Sequence, residues 1–205
     1  MSESLLHNRD YTVVIARSSS RTSPVPPGLE KQWLVAQDSL ITLVKKCEEL
    51  DPDGITIYIA STPWQKYEHK TSAALVEIFQ GQYASDNINL LDTLQAALDS
   101  YFSRKASKLA KENGEIIIVL LDHEPKKRMA LVKLLVEASK KVDNQEELGI
   151  MFAQVGDDFI ARGFLNALDD DLHKAGAKVD IVDTKVLTEL EESAIAEFLI
   201  NTLYD

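Results

Sequence analysis

Short apolar runs alternate with longer amphipathic stretches along this chain. The run 11–16 carries Val13, Val14 and Ile15 in succession, and the run 115–121 is apolar at every position after the first. Runs that are apolar on both faces are typical of buried strands in a parallel sheet. The predicted strands span residues 11–16, 55–60, 65–69, 115–121, 148–155 and 178–182. The third of these is interpreted as a short edge strand.

The longer stretches predict helices. In residues 31–50, Trp33 and Cys47 fall on one face at helical spacing, and the turn sequence Asp-Pro-Asp-Gly at 51–54 ends the helix. Further helices are predicted over residues 72–79, 90–102, 126–142, 158–175 and 194–203. The alternation predicts an α/β fold: a doubly wound, mostly parallel six-stranded sheet with one antiparallel edge strand and helices on both faces, in a Rossmann-like arrangement. No repeat or long linker interrupts residues 1–205, so we expect one domain.

Composition and charge narrow the range of partners. The chain has 205 residues, and its formal net charge is −11. Such acidity opposes binding to nucleic acids or to membrane surfaces. No segment reaches the roughly 18 apolar residues of a membrane span. The polar N-terminus lacks the apolar core of a secretory signal, so we expect a cytoplasmic protein without membrane insertion.

The single cysteine also excludes some functions. Because Cys47 is alone, the chain can form neither an intramolecular disulfide nor a zinc site that needs two or more cysteines. Cys47 lies on the apolar stripe of its predicted helix. We therefore expect it to be a small buried hydrophobic residue and not a nucleophile.

The loops that follow the strands are the candidates for a binding site. Ligands of open α/β sheets bind beyond the carboxyl ends of the strands, where the strand order reverses. Arg-Ser-Ser-Ser-Arg follows the first strand at 17–21, and Ser-Thr-Pro-Trp follows the second at 61–64. Asp-His-Glu-Pro at 122–125 and Gly-Asp-Asp at 156–158 follow the next two buried strands. The functional surface is expected to be built from these loops.

Two of these loops resemble motifs of the von Willebrand factor A domain family. Residues 10–20, Asp-Tyr-Thr-Val-Val-Ile-Ala-Arg-Ser-Ser-Ser, are similar to the first strand of that family and the Asp-x-Ser-x-Ser motif after it. Residues 121–125, Leu-Asp-His-Glu-Pro, resemble its Asp-Gly-x-Pro turn, and the order of elements matches over residues 9–204. The resemblance implies a metal-ion-dependent adhesion site. In such a site, hydroxyls and nearby carboxylates hold Mg²⁺, and a partner's acidic side chain completes the shell.

The first motif departs from the family pattern. Ala16 stands where the family has Asp, whereas Ser18 and Ser20 are kept. Arg17 adds a positive charge beside the missing acid. Because Mg²⁺ prefers hard oxygen ligands and needs negative charge nearby, neutral hydroxyls compensate poorly for a lost carboxylate.

The other two motifs depart as well. Aligning the middle helix with the family puts Ile88 and Asn89 where the family has a Thr-Asp pair, so that an aliphatic side chain and an amide replace a hydroxyl and a carboxylate. Asp122 is kept, but His123 stands where the family has Gly. We therefore expect the residual positions, the two serines and Asp122, to hold no metal. No other cofactor is expected.

Cations gather after the strand ends of this acidic chain. The candidate partner-binding residues are Arg17, Arg21, His123, Lys126, Lys127, Arg128 and Trp64. A guanidinium receives a carboxylate through paired hydrogen bonds without a metal. We therefore expect a partner protein to dock an acidic side chain on this rim, although ordinary surface scatter also accounts for the cations. Trp64 is interpreted either as an exposed interface anchor or as buried packing.

The sequence predicts a non-enzymatic module for protein–protein interaction or assembly that does not depend on a metal. It contains no Gly-x-Ser-x-Gly elbow, Walker A loop or Gly-x-Gly-x-x-Gly motif, and the adjacent Asp122 and His123 are typical of turn capping. Two alternatives stay open. One is Mg²⁺-dependent adhesion through the residual site; the other is binding of a small molecule or phosphate by the strand-end loops, including the serine run. The sequence does not identify the partner, which includes the possibility of a second copy of the chain.

Overall fold

A mixed sheet forms the centre of the protein. The structure is a computed structural model that describes residues 3–19, 26–81, 83–187 and 191–204. Within these ranges the strands are β1 (Asp10–Ala16), β2 (Ile55–Ile59), β3 (Gln65–Lys70), β4 (Glu115–Leu121), β5 (Leu148–Gln154) and β6 (Val182–Val186). Their order is β3-β2-β1-β4-β5-β6, and all neighbours are parallel except β2 and β3. The predicted six-stranded sheet with one antiparallel edge strand is confirmed.

Burial on both faces accounts for the parallel centre of the sheet. Every residue of β4 and β5 is buried, as is every residue of β1 after Asp10. In the ladder, Ile118 of β4 lies opposite Val13 of β1 on one side and Met151 of β5 on the other. Parallel neighbours need crossover connections, and here these connections are helices that cover the two apolar faces.

Helices cover both faces of the sheet. In the described ranges they are α1 (Leu29–Leu50), α2 (Ser72–Gln80), α3 (Leu90–Ala106), α4 (Arg128–Ser139), α5 (Phe159–Asp171) and α6 (Ile195–Tyr204). Apolar residues of α1, α2 and α6 pack against one face, and those of α3, α4 and α5 pack against the other. This is the predicted doubly wound, Rossmann-like arrangement. None of the described helices has the length and apolar character needed to cross a membrane.

The core-facing stripe of α1 is as predicted. Trp33 and Cys47 are each 1% exposed and lie in the core between α1 and the sheet. Burial raises the pKa of the Cys47 thiol well above its usual range, which suppresses the reactive thiolate. Cys47 is therefore a packing residue.

The last strand lies later in the chain than predicted. The sequence predicts it at residues 178–182, whereas β6 spans Val182–Val186 and pairs with β5 over that length. The prediction followed the apolar residues that precede the strand. An edge strand has neighbours on one side only, so it accommodates polar residues such as Asp183 and Lys185, and this weakens its apolar signature.

The first residue of β4, Glu115, is a buried carboxylate at the amino ends of the parallel strands. Glu115 is 1% exposed, and its Oε2 lies 2.5 Å from Nη2 of Arg104. Burial raises the pKa of Glu115 to about 7, and the charge of Arg104 offsets this only in part. A carboxyl group whose pKa is higher in the folded than in the unfolded state stabilises the fold fully when the pH is below the unfolded-state pKa. This stabilisation is lost as the pH rises from the unfolded-state pKa towards the folded-state pKa.

We expect the substitution Glu115→Gln to remove this pH dependence. As the pH rises from 4.5, the pKa of the unfolded-state carboxyl, to about 7, the wild type should lose stability that the variant keeps. The expected loss in the free energy of unfolding is on the order of 3 kcal/mol. Urea denaturation at several pH values measures the difference. Glu112→Gln, at an exposed position nearby, is the matched control and should show no such trend. A difference between wild type and Glu115→Gln that stays constant with pH would contradict the assignment.

Candidate functional site

The strand order reverses between β1 and β4, which places the loops after these strands side by side. Ala16 and Leu121, the last residues of the two strands, lie opposite each other in the ladder. The loop after β1 also pairs with the segment before α3. There the amide of Ser85 donates to the carbonyl of Arg17, and the amide of Ser19 donates to the carbonyl of Ser85, both at 3.0 Å. The described loops thus meet at the predicted position of the site.

A cavity of about 400 Å³ opens at this switch point. Four predicted site residues line it: Ser18, Asp122, His123 and Lys126. Ile88 contributes an aliphatic side chain to the same lining. The segment before α3 therefore faces the loops after β1 and β4.

Asp122 is the buried centre of the site. Its Oδ2 accepts hydrogen bonds from the amide and the hydroxyl of Ser18, at 3.1 Å and 2.9 Å. The indole Nε1 of Trp33 donates to the same oxygen at 2.9 Å, and Nδ1 of His123 lies 2.7 Å from Oδ1. Burial alone would raise the pKa of Asp122, but these donors and the charge of His123 outweigh it and hold the pKa below its ordinary value.

This set of contacts does not fit a magnesium ion. A carboxylate offers about four lone-pair positions, and the donors of Ser18, Trp33 and His123 converge on them. An indole N–H carries no lone pair for a metal. The side chains of Ile88 in the lining and of Ala16 at the end of β1 contain only carbon and offer a metal no ligand.

A cluster of acidic residues lies at the amino ends of the strands, at the opposite end of the sheet from the cavity. Within the described residues, Asp10, Asp51 and Asp53 are the one set of three side chains spaced to hold a cation. Nζ of Lys111 lies 2.8 Å from Asp53 and 3.5 Å from Asp10, and it also contacts Asp51. An ammonium group therefore sits where a metal would have to bind, and the cluster is a structural ion-pair network.

Arg17 is held by its own chain. Its Nη2 lies 2.5 Å from the carboxylate of Glu30, and its Nη1 donates to the hydroxyl of Tyr83. The guanidinium also lies over the rings of Trp33 and Tyr83, 5.2 Å and 4.8 Å from the ring centroids, and 14% of the side chain is exposed. The sequence predicts that Arg17 binds a partner, but here Glu30 already neutralises its charge.

The other described cations of the predicted rim are either paired or free. Arg128 pairs with Glu124 and lies 5.6 Å from the ring centroid of Phe164. Lys126 and Lys127 are exposed, and neither has an ion-pair partner in the part of the chain that the structure describes. Among the described rim residues, these two lysines are the cations available to a partner.

Trp64 lies in the loop between β2 and β3. It is 39% exposed, and its ring centroid lies 5.7 Å from that of Tyr58. The side chain therefore packs on one side and is open to solvent on the other, and its role as an interface anchor stays a prediction. Ser20 and Arg21, the two remaining predicted residues, lie outside the described residues.

The amides of the described serines after β1 donate hydrogen bonds within the chain. The amide of Ser18 donates to Asp122 at 3.1 Å, and that of Ser19 donates to the carbonyl of Ser85 at 3.0 Å. A phosphate site built on this run would need these amides to be free. In the described part of the run, both amides already have acceptors within the chain.

No protein-family model matches this chain, and no curated protein matches it either. The resemblance to von Willebrand factor A domains therefore depends on the motifs at residues 10–20 and 121–125 and on the order of strands and helices. The chemistry of the cavity and its surroundings is the remaining guide to function.

Sequence reasoning assigned no role to the acidic side of the cavity, and it missed Asp86 altogether. Asp86, Asp157 and Asp158 line it together with the predicted residues. The strand-end rule does bring Asp157 and Asp158 to the site, because they follow β5. Asp86 lies in the loop before α3, where no motif marks it.

Sequence reasoning also missed an apolar surface beside the cavity. Met129 in the first turn of α4 is 77% exposed. Phe159 and Ile160, which begin α5, are 76% and 64% exposed. Helical spacing indicates which residues face the core, but it does not identify large apolar side chains left at helix starts. We call these three residues the apolar shoulder.

Proposed function

We propose that this protein is a protein-binding module of the von Willebrand factor A type that engages its partner without a metal. The observation that carries the proposal is the bonding of Asp122. Ser18, Trp33 and His123 satisfy its carboxylate from within the chain. These donors stabilise the charge that a cation stabilises in the family's metal site. The surrounding surface then binds by shape, charge and apolar contact.

The arrangement of the motif loops supports the family assignment. Ser18, Ile88 and Asp122 come from three separate segments and line one cavity at the carboxyl edge of the sheet. The family builds its adhesion site from the equivalent three segments. The strands and helices between residues 10 and 204 also follow the expected order.

The titratable groups of the cavity support binding over catalysis. The hydroxyl of Ser18 donates to Asp122. A serine nucleophile needs a base that accepts its proton near neutral pH. The lowered pKa of Asp122 makes it a weak base. Among the described contacts of the cavity, the Ser18 hydroxyl has this carboxylate as its acceptor, and His123 binds the carboxylate and not the hydroxyl.

The acidic partner group expected from sequence would meet Lys126 and Lys127. Exposed charges of this kind mainly steer association and are screened by salt. A different protein fits this role better than a second copy, because a chain with a net charge of −11 repels its own copies. Binding is therefore expected to be insensitive to EDTA and sensitive to ionic strength.

Reversal of the two lysine charges is expected to weaken partner binding. A resin carrying the full chain is loaded with an extract of the source cells, once in EDTA and once in Mg²⁺, and the retained proteins are quantified by mass spectrometry. We expect the same partner in both buffers. Its retention should fall at least about tenfold for Lys126→Glu/Lys127→Glu, because like charges then face the partner.

The matched control reverses Lys45 and Lys140, two exposed lysines near the C-terminal ends of α1 and α4. This double variant carries the same net charge and should retain the partner. A partner held in Mg²⁺ and released by EDTA would assign the protein to metal-dependent adhesion. Equal retention by both double variants would place the binding surface elsewhere.

A further inference from the structure

The residues of the apolar shoulder lie next to cavity residues along the chain. Phe159 follows the cavity residues Asp157 and Asp158 directly in the chain, and Met129 lies three positions after the cavity residue Lys126. The two helices that carry the shoulder, α4 and α5, pack on the same face of the sheet. Large exposed apolar side chains beside a cavity are typical of protein interfaces.

The start of α4 contacts the middle of α5. The guanidinium of Arg128 in α4 lies 5.6 Å from the ring centroid of Phe164 in α5. On α5 itself, Arg162 lies 5.6 Å from the ring centroid of Phe159. Arg128 and Arg162 thus lie beside residues of the shoulder, each near an aromatic ring, and the three apolar side chains of the shoulder are exposed to solvent.

The charge of the cavity decides what kind of group enters it. Asp86, Asp157 and Asp158 line the space, whereas Lys126 is the one lysine or arginine among its described lining residues. The His123 side chain is engaged with the buried carboxylate behind it. An entering carboxylate would meet three like charges, whereas an entering cation would meet three partners.

Each of these carboxylates keeps bonding capacity for a ligand. Asp158 caps α5 through Oδ1, which leaves its Oδ2. Oδ2 of Asp157 accepts one hydrogen bond from Gln32 at 2.9 Å, and its Oδ1 lies 3.7 Å from the guanidinium of Arg162. Asp86 is exposed and has no ion pair with any described residue.

The remaining walls suit a side chain with an apolar stem. Pro26, Pro27, Leu29 and Ile88 line the cavity beside the carboxylates. Lysine and arginine combine several methylene groups with a cationic head, so their stems can pack on such walls while their heads reach carboxylates.

We propose that the cavity receives an arginine or lysine side chain of a partner protein, and that apolar residues next to it cover the shoulder formed by Met129, Phe159 and Ile160. The occupant is a polypeptide segment, because a small amine would leave the shoulder uncovered. This inference rests on the proposed function and names the chemistry of the partner. It adds a basic group inside the cavity to the acidic partner group that Lys126 and Lys127 meet on the rim.

A random peptide library displayed on phage tests the inference. The library is selected on the full-length protein in EDTA, and an unrelated acidic protein serves as the background. We expect the enriched peptides to share a basic residue flanked by apolar residues. A synthetic peptide from this set should bind at least about tenfold more weakly to Asp86→Asn/Asp157→Asn, and also more weakly to Phe159→Ala.

The control variant Asp143→Asn/Asp170→Asn changes the same charge at two exposed positions away from the cavity and should bind the peptide like the wild type. Enrichment of acidic peptides whose binding is lost in Lys126→Glu/Lys127→Glu would overturn the inference and leave the proposed function intact. If spermidine binds as tightly as the peptide, the inference that the occupant is a polypeptide is wrong. No enrichment above background, or enrichment only when Mg²⁺ is added, would overturn both.

Discussion

Replacement of Asp122 by alanine is expected to lower the free energy of unfolding by about 3–5 kcal/mol, measured by urea denaturation in EDTA. The Asp122 side chain is 1% exposed, and its carboxylate accepts hydrogen bonds from Ser18 and Trp33 and lies against Nδ1 of His123. Its removal leaves buried donors without an acceptor, and burying an unsatisfied donor is costly. Asp122 thus joins the loop after β1, helix α1 and the loop after β4.

A metal ligand would behave in the opposite way. In a metal site without its ion, neighbouring acids repel one another, so removing one of them leaves stability unchanged or raises it. The exposed Asp170→Ala is the matched control and should shift stability by no more than about 0.5 kcal/mol. An Asp122→Ala protein as stable as the wild type in EDTA would contradict the structural role of this carboxylate.

The substitution Gly114→Ala is expected to destabilise the fold by more than about 4 kcal/mol, or to prevent folding. Gly114 precedes β4 with φ +77°, a conformation that side-chain-bearing residues rarely adopt. A Cβ at this position would lie 1.8 Å from the carbonyl oxygen of Glu147. That oxygen belongs to the backbone next to β5, so relief of the clash requires the amino end of the β4–β5 pair to shift.

Gly163→Ala is the control for this prediction. Nothing lies within 4 Å of a Cβ added at Gly163, which is in α5 with an ordinary φ. Alanine favours helix over glycine, so this variant is expected to gain up to about 1 kcal/mol. Thermal unfolding of both variants measures the contrast. A Gly114→Ala protein with nearly wild-type stability would show that β4 and β5 approach each other differently from the structure.

The sequence specifies the sheet well because burial on both faces leaves a direct signature. The apolar residues of β1 and β4 run without interruption, and such runs have few alternatives to a central parallel strand. The predicted position of the edge strand β6 is wrong because the prediction relies on the same apolar signature. Its one-sided pairing tolerates Asp183 and Lys185, so the apolar residues before it gave the stronger signal.

The position of the site was predictable, but the direction of its side chains was not. The strand-end rule places residues 17–19 and 122–125 together, as the structure has them. Whether Arg17 faces solvent depends on Glu30 and Tyr83, which lie in segments with no motif. The acidic lining has the same origin, because Asp86 comes from the loop before α3. Tertiary contacts of this kind carry no periodic signal along the chain.

Two tryptophan indole signals in a proton–nitrogen NMR spectrum offer the most direct test of a metal-free switch point. The indole N–H of Trp33 is bonded to Asp122, and Trp64 lies in a separate loop and serves as the internal reference. Paramagnetic Mn²⁺ replaces Mg²⁺ at oxygen sites and broadens the signals of nearby protons. During a Mn²⁺ titration, we predict that the Trp33 signal keeps its intensity relative to that of Trp64. Selective loss of the Trp33 signal at stoichiometric Mn²⁺, reversed by excess Mg²⁺, would show a cation at Asp122 and contradict the account.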